Sequence, residues 1–128
     1  MKLLLATLIA FCWVPAFAQY GDKPLSAPEE KKNIAVLLKR QATTKATFTK
    51  KPKDIKAKKA YVDANVALGL QYTYSTTVDR KEKYKLALKC FREALKYDPK
   101  NPDAKQMHDQ IVGIYKSMGR PVPGESGG

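Results

Sequence analysis

The chain has 128 residues, with 24 lysines and arginines against 12 aspartates and glutamates, and a formal net charge of +12. This excess favours anionic partners through nonspecific attraction, or serves only as a solvated surface. Two cysteines and a single histidine leave no clustered metal ligands and no nucleophile with a motif-supported base, so neither an enzyme nor a cofactor is expected.

Met1 and Lys2 open the chain, Leu3 to Val14 is apolar, and Ala16-Phe17-Ala18 follows as a small-x-small cleavage site. That is the layout of a secretory signal peptide, 1–18, and predicts a secreted or periplasmic protein cleaved after Ala18. Cys12 lies in the apolar run, but Phe11 is bulky where a lipid-attachment motif wants a small residue. The mature chain keeps Cys90 alone, so no internal disulfide is expected. Its place in a helical pattern suits a small buried hydrophobe.

Residues 19–52 read as a basic N-terminal arm. Ser26 stands three residues before Glu29, and Pro28 lies between them. This capping pattern starts a short helix over 28–40, with Ile34, Leu37 and Leu38 on a narrow apolar face. The threonine- and lysine-rich text from Ala42 to Pro52 has no apolar period and reads as a linker. Between Lys31 and Lys59 there are eleven basic residues and one acid, Asp54.

A helical domain is expected over 53–119. Its first helix runs from about Lys53 to Tyr74, on Ile55, Val62, Val66 and Leu70, with many alanines. Gly69 in its interior costs about 1 kcal/mol against alanine, which implies a packing reason. Asp79 and Glu82 read as a cap pair, as do Glu29 and Glu30, rather than as paired catalytic carboxylates. The next helix spans Arg80–Tyr97 and has the clearest period, with lysines on its outer faces. After the Asp98-Pro99-Lys100-Asn101-Pro102 turn, a last helix reaches about Met118. Ala104, Met107, Ile111, Ile114, Tyr115 and Met118 are expected inward and Gly119 at the stop. His108 reads as a surface or edge residue, and 120–128 as a disordered tail.

Two of these helices carry a pattern of small and aromatic residues. Ala64, Leu68-Gly69 and Tyr72 stand in one; Tyr84, Ala87, Phe91, Ala94 and then Pro99 stand in the other. This resembles a tetratricopeptide repeat, in which small residues let antiparallel helices approach and aromatics fill the crossing. Asn65 stands where that family often has a large aromatic, and the stretch from Tyr72 to Tyr84 is longer than a usual repeat allows. The resemblance implies an all-α fold: a TPR-like antiparallel helical hairpin with a C-terminal third helix and a short N-terminal helix. It implies a non-catalytic adaptor that binds a protein or peptide through first-helix side chains, here Asn65, Leu68, Gln71 and Tyr72. Leu68 and Tyr72 are equally readable as packing residues, and Lys58 and Lys59 could steer charge.

About three repeats are usually needed for stability, and this chain holds little more than one. Its open face must be covered by the N-terminal helix, by weak self-association or by a partner's array. The alternative reading is a basic envelope-associated protein that binds anionic lipid or polysaccharide through Lys31–Lys59. Its patch would be Lys50, Lys51, Lys53, Lys56, Lys58 and Lys59. Secretion and the lack of interleaved aromatic and basic residues argue against nucleic acid.

Overall fold

The structure, a computed structural model, describes residues 24–125. The expected signal peptide lies outside the described residues. Among those described, the chain forms four helices and no strand: α1 (Ala27–Lys50), α2 (Ile55–Thr73), α3 (Arg80–Tyr97) and α4 (Pro102–Ser117). The all-α expectation holds, and each helix packs chiefly on its neighbour in the chain.

The helix expected over 28–40 is much longer. At its start the Ser26 amide and hydroxyl both donate to the Glu29 carboxylate, at 2.9 and 2.6 Å. It then continues through the supposed linker as far as Lys50. The threonines do not break it, because Thr44, Thr47 and Thr49 return their hydroxyls to the carbonyls of Arg40, Thr43 and Lys45. Ala42 and Ala46 add strong helix formers, and Pro52 stops the run.

The starts of the other helices follow from side-chain caps. Asp54 accepts from the amides of Lys56 and Ala57 at 2.8 and 3.2 Å, so α2 begins after Asp54 rather than at Lys53. Asp79 accepts from the Lys81 amide, and Asn101 from the Ala104 amide. Pro102 occupies the first turn of α4.

The centre of the molecule is the α2–α3 crossing. Ala64, Ala87, Phe91 and Ala94 are all fully buried there, Tyr84 is half-buried and Pro99 lies exposed in the turn. Gly69 has the packing reason its position implies. A Cβ at Gly69 would lie 2.7 Å from Phe91 Cε1 and 2.9 Å from Cζ, closer than carbon atoms tolerate. Overpacking of this kind costs about 1–3 kcal/mol and outweighs the helix-propensity gain of about 1 kcal/mol. Gly69→Ala is expected to lower stability by about 1 kcal/mol, read as a shift in the urea midpoint.

Two C-terminal expectations are corrected. On α4 the buried set is Ala104, Met107, Ile111 and Val112, while Ile114 and Met118 are exposed. Ala104, Met107 and Ile111 are buried as expected and Tyr115 is half-buried against the core, but the last turns leave Ile114 and Met118 outside, because only α3 and a small part of α2 lie against α4. The stretch after Gly119 is ordered as far as Glu125. Gly119 takes φ 63°, its amide bonds the Lys116 carbonyl, and the Arg120 amide bonds the Tyr115 carbonyl. This left-handed stop turns the chain back. Val122 then inserts into the core, and Arg92 donates to the Pro123 carbonyl. Residues 126–128 lie outside the described residues.

Candidate functional site

The four residues implied as peptide contacts lie together on α2, and all four are buried. Asn65 has 0 % exposure, and Leu68, Gln71 and Tyr72 are nearly as hidden. Leu68 and Tyr72 belong to the core, which is their packing reading. Asn65 and Gln71 face α1 and are already hydrogen-bonded within the chain. Gln41 Nε2 donates to Asn65 Oδ1 at 2.6 Å, and Asn65 Nδ2 donates to the Tyr61 carbonyl at 2.9 Å. Asn33 Nδ2 donates to Gln71 Oε1 at 2.6 Å. The helix expected to stop at Arg40 therefore lies along the α2 face that the repeat resemblance implies for a peptide.

Both ends of α1 are fastened. At its start, Glu30 is 3 % exposed and its carboxylate is enclosed by the Ser75–Thr77 loop between α2 and α3. It accepts from the hydroxyls of Ser75, Thr76 and Thr77 and from the amides of Thr76 and Thr77. Burial pushes this carboxyl up, but the converging donors outweigh burial and hold it down at about 2. The long Tyr72-to-Tyr84 connection thus serves as a receptor for an α1 carboxylate.

At the other end of α1, Phe48 packs against Tyr61 of α2 and Tyr97 of α3. Ring centroids lie 5.9 Å apart for Phe48–Tyr61, 5.0 Å edge-on for Phe48–Tyr97 and 5.8 Å for Tyr61–Tyr97. The Tyr61 hydroxyl donates to Glu93 at 2.8 Å. Burial, aided by Glu93, pushes that phenol up to about 12, so it stays a donor. These rings brace the corner formed by the end of α1, the Lys51–Asp54 connection and the first turns of α2.

That corner carries Lys50, Lys51, Lys53, Lys56, Lys58 and Lys59, all exposed. Asp54 spends its carboxylate on the α2 cap, and Asp63 pairs with Lys59 at 2.7 Å. Among the described residues, the other five lysines have no acidic side chain within ion-pair distance. Ile55, expected on the apolar face with Val62 and Val66, instead projects among them at 78 % exposure, because α2 begins there, outside the core cluster.

A second surface lies at the opposite end of α2. A cleft of about 320 Å³ is lined by Tyr74, Tyr84, Met107, Ile111 and Ile114 on its apolar side and by Thr73, Ser75, Thr76, Lys83 and Gln110 on its polar side. Cys90 is buried in the core, and burial pushes its thiol up to about 12, which makes it inert. His108 sits at the edge of α4 with Nδ1 3.0 Å from Asp109 Oδ1. The chain matches no known protein family, no curated protein and no solved structure.

The lysine patch is legible in the sequence, and Gln41 falls at the end of the face that Ile34 and Leu37 mark; Glu30, read as part of a helix cap, instead binds the Ser75–Thr77 loop, and Asn33 and Phe48 carry no sequence signal of their contacts. Residues 30, 34, 37, 41, 44 and 48 do keep helical spacing. Half of them are polar, so an apolar periodicity does not register them. Their partners on α2, Asn65 and Gln71, are polar too.

Proposed function

We propose that this protein is a non-catalytic, secreted or periplasmic helical module of tetratricopeptide-like type that attaches to anionic envelope surfaces through the α1–α2 lysine corner. The observation that carries this reading is the pairing of an occupied peptide face with an unpaired cationic one. The face that would grip a peptide holds the chain's own α1, through Gln41–Asn65 and Asn33–Gln71. The lysine corner is exposed, braced by three aromatic rings and almost free of acids. The close Gly69–Phe91 approach supports the repeat-like packing. The leader-like first 18 residues support export.

The test is retention on an anionic matrix across a salt series. A site that neutralises several charges loses affinity steeply with salt, by at least about tenfold between 50 and 200 mM for five contacts. Changing the six corner lysines to glutamine is expected to abolish retention while leaving the helical content unchanged. Retention by the glutamine variant equal to wild type sinks the reading.

The exposed Tyr74 and Ile114 of the second cleft favour one other reading, a protein partner docked there. Salt-insensitive capture of an envelope protein that is lost on Ile114→Ser, with the lysines intact, supports that reading instead.

A further inference from the structure

We propose that the corner's anionic target is a lipid bilayer, and that Ile55 enters the boundary between headgroups and acyl chains. This inference rests on the anionic-surface reading above and narrows it to one kind of surface.

Ile55 decides between a bilayer and a soluble polyanion. Among the described residues it is the most exposed of the large hydrophobic side chains, at 78 %, and lies outside the core cluster. It opens α2, directly after the Asp54 cap. Its neighbours in sequence are Pro52, Lys53, Lys56, Lys58 and Lys59, all exposed. A β-branched apolar residue at the first position of a helix adds nothing to helix formation. Nor does it gain from a sulfated or phosphorylated polymer, which would be gripped by hydrogen-bond donors. A bilayer rewards both features at once. Lysines near an anionic leaflet each strengthen attachment by roughly fivefold, and an apolar side chain gains by leaving water.

The corner is also rigid enough to present this pair. Phe48, Tyr61 and Tyr97 hold the end of α1 against α2 and α3, and the Lys51 and Asp54 amides are tied down by backbone bonds to Thr47, Phe48 and Lys51. Ile55 is therefore held outward before contact, and little ordering is lost on binding. The acids nearest in sequence are Asp54 and Asp63; Asp63 pairs with Lys59, and Asp54 keeps its charge at the α2 cap, where the lysines around it outnumber it.

The test uses the mature chain from Gln19 onward, since an uncleaved apolar leader would itself bind lipid. Cosedimentation with phosphatidylglycerol–phosphatidylcholine vesicles is compared with pure phosphatidylcholine vesicles and with dextran sulfate. Wild type is expected to bind the anionic vesicles and ignore the neutral ones. Ile55→Ser is expected to weaken vesicle binding by about tenfold and leave dextran sulfate binding unchanged. Because Ile55 is exposed, this variant should keep its fold, which circular dichroism checks. Ile55→Trp supplies the mature chain with its only tryptophan. Its indole emission is expected to shift blue on anionic vesicles and to be quenched by brominated lipid.

Equal vesicle binding by wild type and Ile55→Ser, with the indole emission of the Ile55→Trp variant unmoved, overturns the bilayer inference. Binding to dextran sulfate but not to anionic vesicles overturns it too; in both cases the anionic-surface reading survives. Loss of neither target in the six-lysine glutamine variant overturns both.

Discussion

Phe91→Ala is expected to cost about 3–5 kcal/mol, the largest loss from any single truncation in this fold. Phe91 is fully buried, and its ring supplies the three atoms nearest to where a Cβ at Gly69 would stand. Removing it leaves a cavity bounded by a bare helix backbone, which cannot collapse without moving α2 toward α3. Against a total stability of about 5–15 kcal/mol for a domain of this size, that loss leaves the variant largely unfolded near its wild-type melting range. Urea unfolding followed by circular dichroism reads it directly. The pairing with Gly69 makes the mechanism testable. In the Phe91→Ala background a Cβ at residue 69 meets empty space, so Gly69→Ala changes sign there and stabilises by roughly 1 kcal/mol through helix propensity. If the two substitutions simply add, the Gly69–Phe91 contact is not what sets the helix separation.

The parts of this fold legible in the sequence are those where local chemistry and burial agree. Asp79, Asn101 and Gly119 mark helix ends because their side chains, or the lack of one, solve a local backbone problem. Ala64, Ala87, Phe91 and Ala94 are readable because they are apolar at helical spacing. The candidate site is legible only in its charge: the lysines from Lys50 to Lys59 were visible, and the consequence of Ile55 among them was not. The second half of α1 was hidden because its inward residues, Gln41 and Thr44, are polar and are balanced by polar groups on α2. Pairing of that kind lies between segments far apart in the chain, which no local pattern reveals. Val122 was hidden for a different reason. One apolar residue among prolines and glycines carries no period, and only the Gly119 turn delivers it to the core.

Glu30 is the other position where a single change has a large consequence, and here the consequence depends on pH. In the folded chain the Ser75–Thr77 donors hold its carboxyl at about 2 against a usual 4.5. A depressed carboxyl contributes stability that is fully present above its unfolded value and is lost as pH falls through its folded value. The difference corresponds to on the order of 3 kcal/mol, at about 1.4 kcal/mol per pH unit. Wild type is therefore expected to lose this stability progressively between about pH 5 and pH 2. Glu30→Gln is expected to lack it at neutral pH, because an amide brings its own N–H into a nest of donors and gives up the charge they were satisfying. The gap between the two urea midpoints should be wide at pH 7 and close near pH 2. A gap that stays constant across that range shows that Glu30 acts by shape alone. The same variant loosens what covers Asn65 and Gln71. With the carboxylate latch gone, the first turns of α1 keep only the Asn33–Gln71 bond and the packing of Ile34 and Leu37. Amide exchange should quicken there first, while the Phe48 end stays protected by Tyr61 and Tyr97. The covered face of α2 is thus closed by one ionised side chain at one end and by aromatic packing at the other, and only the first of these responds to acid.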